Sequence, residues 1–534
     1  VTLQENTSSL ENAADDGYSA SAWKLAVLLG LGRNDLVALV GSVPERWCNS
    51  FRDGDCDVTE CADANGLASL NRPAACIIWC PGDADTAAGA HRVAAALASD
   101  GRMLLLRRSR LSLFAGRRSA KLLTDRTARL WWIEKRALSR AGLSVERVWI
   151  PWPSFEYPEE FLGFDEPDEL KASAGLNNGW WARLRASAHD GYAMLTARAG
   201  TVKRPIGTFV TSRLRGNGEG ANRWRVTRFD MRDRGALVLM LSDGSGKSLV
   251  ARVAKRGAVE DHISANDEKL RRLHRAAAQT PNVVSLLPDI GERLDGDGYT
   301  IWTEKRLCGT VAWRVAPRLR ERLDRDWMRF LTDLSTVGRH HLILDRANAL
   351  TALERFHDSR SLRGEIASEV HELTRWLVDQ VSGRECAFSW SHGDFGYGNL
   401  LANPYTGSLT GVIDWETASE KEFCGVDWMN MLIAREGAIR GIRFDEAFVR
   451  VLESLSGDST GWDGVVGAFA AFLDSVSGNK EEWLASMLGI TLLRALQRQS
   501  RYPQIFRKSE VEYLRALRRF HKAIIGQPFT GEGP

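Results

Sequence analysis

Short apolar runs alternate with Ala-rich and charged stretches through the first 215 residues. The run 35–41 opens on Asp35, is apolar at consecutive positions from Leu36 and ends in Gly41, the pattern of a strand buried on both faces. A second such run covers 75–80. A third, 102–106, comes after the turn Asp100-Gly101. Between them 87–98 is Ala-rich and predicts a helix, as do 21–30, 126–141 and 180–198. The helix at 126–141 is closed by Gly142, a residue suited to a helix C-terminus. Residues 145–150 alternate like a strand, Pro151, Pro153 and Pro158 interrupt the stretch beyond it, and 206–210 reads as a last strand. Strands alternating with helices predict a doubly wound α/β domain over 1–215.

The pattern changes after Gly216-Asn217-Gly218-Glu219-Gly220, a polar Gly-rich break. Strands are expected at 224–230, 236–241 and 248–254, separated by turns at 232–235 and 243–246. A helix at 266–278 carries Leu270 and Leu273 on one face, 299–304 is a further strand, and 305–309 leaves it like a hinge. The rest is mostly helical. Leu484, Met487, Leu488 and Leu492 form one buried stripe in a helix ended by Pro503. The expected second domain, 222–534, is an α+β bilobal one, with a small lobe at 222–308 and a large lobe at 309–534.

Composition sets the class without refining it. The chain has 534 residues, 44% hydrophobic and 26% charged, which is ordinary globular material with room for several domains. A net charge of +3 does not argue for nucleic acid or a membrane surface. No apolar run approaches the ~18 residues of a membrane span. The polar, acidic N-terminus lacks the order of a signal peptide. A cytoplasmic protein is therefore expected, with no nucleic-acid partner and no membrane span; its oligomeric state is not legible. Of eight cysteines, Cys56-x4-Cys61 and Cys76-x3-Cys80 lack the tight paired spacing of structural zinc. Buried thiols are the expectation. The cation-rich stretches 318–325 and 515–522 sit at helical spacing and read as solvated faces.

The chemistry concentrates in Ser391-His392-Gly393-Asp394-Phe395-Gly396-Tyr397-Gly398-Asn399-Leu400, with Val412-Ile413-Asp414-Trp415-Glu416 shortly after. A carboxylate, an amide and a second carboxylate stand in the order that phosphoryl transfer uses around a nucleotide and magnesium. Asp394 is the candidate to orient an acceptor hydroxyl and take its proton. Asn399 and Asp414 are the candidate metal ligands, offering the oxygens that Mg2+ prefers. Gly396 and Gly398 are expected to let the loop turn. Gly244-Ser245-Gly246-Lys247-Ser248 is not a phosphate-binding P-loop: Leu241 stands where its first Gly is required, and a strand comes next instead of a helix.

His-Gly-Asp-x4-Asn and the later Ile-Asp-Trp-Glu resemble the aminoglycoside phosphotransferase and choline kinase group of the protein-kinase-like fold. The resemblance implies ATP-dependent (or GTP-dependent), Mg2+-assisted transfer of phosphate to a hydroxyl of a small molecule: a sugar, amino sugar or natural product. It also implies a small-lobe cation for the phosphates. Arg252 sits mid-strand where the family usually has Lys, and Lys255 sits at the strand end on the opposite face; both are candidates. Glu268 would pair with that cation, and Glu304, Arg306 and Leu307 would hold the nucleotide at the hinge. His392 and Asp427 are expected to brace the loop, and Glu416 to brace it or touch substrate. Acceptor specificity would lie in 318–379 and 434–480, where Asp358, Glu369, Glu372 and Asp445 are candidates to meet a cationic ligand.

The first domain has its own resemblance. Residues 74–106, then Arg140-Ala141-Gly142-Leu143 and Trp152-Pro153-Ser154-Phe155, look like parts of a class I methyltransferase. The turn Val40-Gly41-Ser42-Val43-Pro44-Glu45 has one Gly and a Pro where a methyl donor needs a Gly-rich approach. A degenerate methyltransferase-like domain is the expectation. Two alternatives stand beside the kinase: a pseudokinase, motivated by Arg252, and a bifunctional methyltransferase-kinase.

Overall fold

The structure is a computed structural model. It describes residues 34–43, 56–81, 86–108, 133–153, 158–164, 192–199, 224–230, 236–243, 246–255, 258–296, 299–354, 364–455, 463–477, 480–500 and 503–525, together with 24, 27, 29, 31, 48, 51–52, 210, 214 and 362. Two compact units result: Val1–Ile263 with Gly291–Arg306, and Ser264–Ile290 with Leu307–Pro534.

The first unit is built on one twelve-stranded sheet. Its parallel part comprises β1 (Leu36–Gly41), β2 (Asp57–Cys61), β3 (Ala74–Cys80) and β4 (Leu97–Arg108), in the order β4-β3-β1-β2. Successive residues feed two cores. Val37, Leu39, Cys76, Ile78, Leu104 and Leu106 bury on one face; Leu36, Ala38, Val40, Ile77, Trp79 and Met103 bury on the other. Burial on both faces is why these runs are continuously apolar. Helix α1 (Thr86–Ala96) adds Ala90 and Val93 to the second core, and the helix at 133–140 adds Leu138. Val27 and Leu29, helical positions in the predicted 21–30 helix, join the first.

The remaining strands are antiparallel. β7 (Tyr192–Ala199) lies between β4 and β5 (Leu143–Pro153), and β6 (Pro158–Phe164) pairs with β5. The helix expected over 180–198 is thus overturned at 192–198, where pairing on two sides outweighs local propensity; 180–191 lie outside the described residues. Pro151 and Pro153 do not end β5. Beyond Trp149 that strand has lost β7 and pairs with β6 alone, so no partner on the open side needs a proline N–H. Helix α1 stops at Ala96 because β4 begins at Leu97, shortening the expected 87–98 helix. Residues 206–209 lie outside the described residues, and Val210 is helical.

β6 pairs with β8 (Arg225–Asp230), and β9 (Leu237–Ser242), β10 (Ser248–Lys255), β12 (Tyr299–Lys305) and β11 (Ile290–Gly296) complete the sheet. The strands expected in a small lobe therefore share a sheet with those of the first segment. The β9–β10 connection is a hairpin: Asp243 Oδ1 accepts the Lys247 N–H at 2.8 Å, and Gly246 has φ +86°. Helix α2 (Ala258–Ala276) begins earlier than predicted and is divided between the units.

The second unit has one large core. Around it stand α3 (Arg320–Leu334), α4 (Arg346–Glu354), α5 (Gly364–Val381), α6 (Val426–Arg440), α7 (Phe444–Leu455), α8 (Asp463–Ser477), α9 (Lys480–Ser500) and α10 (Pro503–Phe520). Two small sheets carry β13 (Thr310–Val311), β16 (Leu400–Ala402) and β17 (Leu409–Val412), and β14 (His340–Ile343), β15 (Glu385–Ser391) and β18 (Ser419–Phe423). Met487, Leu488 and Leu492 of the predicted stripe are buried along α9, and Pro503 opens α10, where its missing N–H costs nothing. The basic stretch 515–522 is not merely solvated. Arg515 pairs with Asp445 of α7 at 3.6 Å, and Arg518 and His521 pair with Glu365 and Glu369 of α5. Among the described residues no helix is long and apolar enough to cross a membrane. The eight cysteines form no disulfide, and burial pushes the Cys76 thiol up to about 12.

A buried charge anchors α9. Arg494 donates to both oxygens of Glu422 on β18, at 2.9 and 3.0 Å, and to the carbonyls of Leu353 and Ala352 in α4, at 2.7 and 2.8 Å. Removing one partner of such a pair strands the other in the core. We expect Arg494→Met to cost about 3–5 kcal/mol, read as a lower denaturant midpoint of the transition that reports this unit. Arg494→Met/Glu422→Leu should recover much of it; a single-variant loss below about 1 kcal/mol would show that the pair behaves as a solvated one.

Candidate active site

The loop between β15 and β16 carries Asp394 at its exposed tip. The Asp394 N–H donates to His392 Nδ1 at 3.2 Å, and His392 Nε2 lies 2.9 Å from the Ile413 carbonyl. With Nδ1 accepting, the proton is assigned to Nε2, which donates to that carbonyl. The fully buried imidazole thus ties the Asp394 loop to the chain just before Asp414. Asp427, in the first turn of α6, accepts the His392 N–H at 2.6 Å and the Gly393 N–H at 2.9 Å. Burial pushes its carboxyl above the ordinary range, opposed by these two hydrogen bonds.

The conformation-demanding glycine is Gly393, not Gly396 or Gly398. Gly393 has φ +80°, and a Cβ there would lie 2.5 Å from the Thr417 carbonyl oxygen. Thr417 itself donates its hydroxyl to the His392 carbonyl at 2.9 Å.

Asn399 donates its amide to the Asp394 carbonyl at 2.9 Å and toward Asp394 Oδ2 at 3.4 Å. That use of the –NH2 group leaves Oδ1 as the acceptor end of the amide. The Asn399 carbonyl accepts the Ile413 N–H at 2.9 Å. Asp414 comes next in the chain, in the left-handed region at φ +67°. A left-handed Asp costs on the order of 1 kcal/mol, and such strain gathers at functional positions. The surroundings hold it: Trp415 Nε1 donates to the Val412 carbonyl at 2.9 Å, and its ring lies 4.6 Å from that of His392. Asp394, Asn399 and Asp414 thus stand on one continuously bonded frame. The Glu416 carbonyl accepts Lys269 Nζ at 2.9 Å.

Two features had no signal in the sequence. Asp324, buried in α3, accepts Tyr397 Oη at 3.0 Å, Trp327 Nε1 at 2.8 Å and Arg435 Nη2 at 2.9 Å. Burial, then the Asp324 charge, pushes the Tyr397 phenol well above its ordinary value, so it stays a donor. The second is Arg498 of α9, whose Nη1 lies 3.0 Å from Asp394 Oδ1 and donates to the Gly393 carbonyl.

The nucleotide candidates divide between the units. In the first, Arg252 Nη1 lies 2.7 Å from Glu304 Oε2, joining β10 to β12. Lys255 closes β10, with its side chain outside the described residues, and the Arg306 N–H donates to the Ser248 carbonyl at 3.1 Å. In the second, Leu307 packs on Gly411, where an added Cβ would lie 2.6 Å from Leu307 Cδ1. Glu268 pairs on the surface with Arg275 at 3.1 Å. Asp358 lies outside the described residues.

Residues 232–450 match the phosphotransferase enzyme family. This segment carries a phosphotransferase-family domain. The match takes in Asp394, Asn399, Asp414 and Asp427; Arg498 lies beyond it. Solved structures similar to the chain include the apo form of a thermostable mutant of aminoglycoside phosphotransferase APH(4)-Ia, at 13% identity and TM-score 0.37, covering 55% of this chain and 92% of that one. Aminoglycoside-3'-phosphotransferase of type VIII is similar at 20% identity and TM-score 0.29, over 49% of this chain and 95% of that one. APH(3'')-Id from Streptomyces rimosus, in complex with ADP and streptomycin, is similar at 13% identity and TM-score 0.32, over 53% and 98%. No curated protein matches the chain.

The loop of this phosphotransferase-family segment yields a contrast between two glycines. Gly393→Ala forces both positive φ and a backbone clash, and should destabilise by at least about 2 kcal/mol. Gly398→Ala meets open space and should stay within about 0.5 kcal/mol. Unfolding midpoints of the two variants check this; equal effects would contradict the described loop.

Proposed function

We propose that the chain transfers the γ-phosphate of ATP to a hydroxyl of a small molecule. The observation that carries this reading is the frame on which Asn399 spends its amide protons on Asp394 and its backbone carbonyl on Ile413. It leaves one carboxylate exposed at the loop tip and an amide oxygen not spent on Asp394, and the chain bonded to Asn399 leads directly into Asp414. In the reaction the acceptor oxygen bonds to the γ-phosphorus, the bond from that phosphorus to the β-phosphate oxygen breaks, and the hydroxyl proton passes to Asp394. A carboxylate is a far weaker base than an alkoxide, so Asp394 orients the hydroxyl and takes the proton late.

The donor set suits a hard divalent cation, since both side chains offer oxygen. Asn399 Oδ1 and the Asp414 carboxylate are the groups that would hold Mg2+, which when bound neutralises charge on the phosphates. Glu304, Arg306 and Leu307 are proposed to receive the nucleotide base, and Arg252 or Lys255 its phosphates; the ion-pair role expected of Glu268 is taken by Glu304, while Glu268 pairs with Arg275.

One observation favours a second reading. Arg252 is engaged by Glu304, so phosphate has to compete for it, as in a pseudokinase that holds nucleotide without turnover. For the first segment we propose a degenerate methyltransferase-like domain. The β1–β3 reversal of strand order is where open α/β sheets place ligands. Yet the single Gly of that turn is demanded by packing: a Cβ on Gly41 would lie 2.2 Å from the Cys80 carbonyl oxygen.

With ATP, Mg2+ and a panel of sugars, amino sugars and amino alcohols, Asp394→Asn should lower turnover about 100-fold or more and leave nucleotide affinity within a few-fold. Absence of turnover by the parent protein, with nucleotide binding retained, would select the pseudokinase. In a nucleotide titration, Asp414→Ala should abolish the gain in affinity produced by Mg2+. An unchanged gain would remove the metal role.

A further inference from the structure

Asp394 presents two oxygens with different surroundings. Oδ2 faces the amide of Asn399 at 3.4 Å, on the side of the proposed metal ligands. Oδ1 is the one left for an acceptor, and it is met by the Arg498 guanidinium at 3.0 Å. The Arg498 side chain is only 19% exposed, whereas that of Asp394 is 51% exposed. The guanidinium is also fixed from both ends. Its Nη1 donates to the Gly393 carbonyl, and one helical turn earlier Arg494 locks α9 onto β18 and α4. Tyr513 of α10 is buried near both groups. Burial pushes its phenol up to about 12, with Arg498 lowering it and Asp394 raising it, so it adds no negative charge.

Among the described residues, the acids expected to meet a cationic acceptor each stand near a basic side chain. Asp445 is buried between Arg443 at 3.7 Å and Arg515 at 3.6 Å. Glu369 pairs with His521 and Arg518, and Glu372 stands 4.0 Å from His521. Arg498 Nη1 is committed to Asp394 and the Gly393 carbonyl, so the remaining N–H groups of the guanidinium are the cationic donors beside the proposed base.

Building on the phosphotransferase reading above, we propose that Arg498 positions Asp394 and sets acceptor charge: it favours a polyol whose reacting hydroxyl neighbours an anionic group, carboxylate or phosphate, and disfavours polycationic amino sugars. An anion beside the hydroxyl gains a planar, forked donor. A substrate ammonium at the same place meets a like charge in a partly buried setting, where screening is weak.

The test is a charge series of acceptors, assayed with ATP and Mg2+ on the full chain: an aldonate, a sugar phosphate, the matching neutral sugars and an aminoglycoside. The parent protein should show kcat/KM at least tenfold higher for an anionic acceptor than for its neutral counterpart, and lower again for the aminoglycoside. The aldonate and sugar-phosphate arms identify which anion is preferred. In Arg498→Gln the anionic-to-cationic ratio of kcat/KM should fall at least tenfold, mainly through KM for the anionic acceptor. A positioning role predicts that kcat for the neutral sugar also falls in Arg498→Gln while its KM stays within a few-fold. Arg498→Lys should restore most of the ratio, and matching unfolding midpoints separate both effects from loss of fold. A ratio unchanged in Arg498→Gln, or a parent protein that prefers the aminoglycoside, overturns the inference while leaving the phosphotransferase reading intact. No turnover of any acceptor overturns both.

Discussion

A buried imidazole with both ring nitrogens hydrogen-bonded is the constraint on which the rest of the site depends. His392 has no access to water, and each of its ring nitrogens is committed: one accepts from Asp394, the other donates to Ile413. A polar ring can be buried at tolerable cost only when both nitrogens are satisfied. That requirement fixes the spacing between the two chain segments carrying Asp394 and Asp414. Asp427 supports the same residue from the other side by accepting consecutive backbone N–H groups. Asp394 stands exposed at the loop tip, while the groups that orient it are buried.

The buried ion pairs of the second unit serve position in a similar way. Arg435 on Asp324 and Arg494 on Glu422 are costly to desolvate, and each is surrounded by further hydrogen bonds that offset the cost. The first holds Tyr397, inside the loop that carries Asp394. The second holds α9, and with it Arg498.

The first unit obeys a different logic. Its parallel strands are insulated on both faces by apolar side chains, and its glycine at the end of β1 is consumed by close strand packing. The antiparallel strands extend the same sheet through β6 and β8. A polar break in sequence at 216–220 therefore does not coincide with a division between compact units, because the hydrogen-bonding edge of a sheet accepts a strand from either side of such a break.

Much was legible from local pattern alone. Continuous apolar runs located β1, β3 and β4, helical spacing located the stripe of α9, and the run from Ser391 to Glu416 located Asp394, Asn399 and Asp414 as candidates. These depend on side chains close in sequence, where periodicity and turn chemistry act directly. What the pattern could not carry was pairing across distance. The strand at 192–199 is set by neighbours on both sides, β5 runs through its prolines because one edge is open, and the strained glycine is Gly393 because of Thr417. Arg498 meets Asp394 from α9, the helix that Arg494 bonds to β18 and α4. Amino-acid order determined which groups were available; burial and the need to satisfy every buried donor and acceptor decided which of them meet.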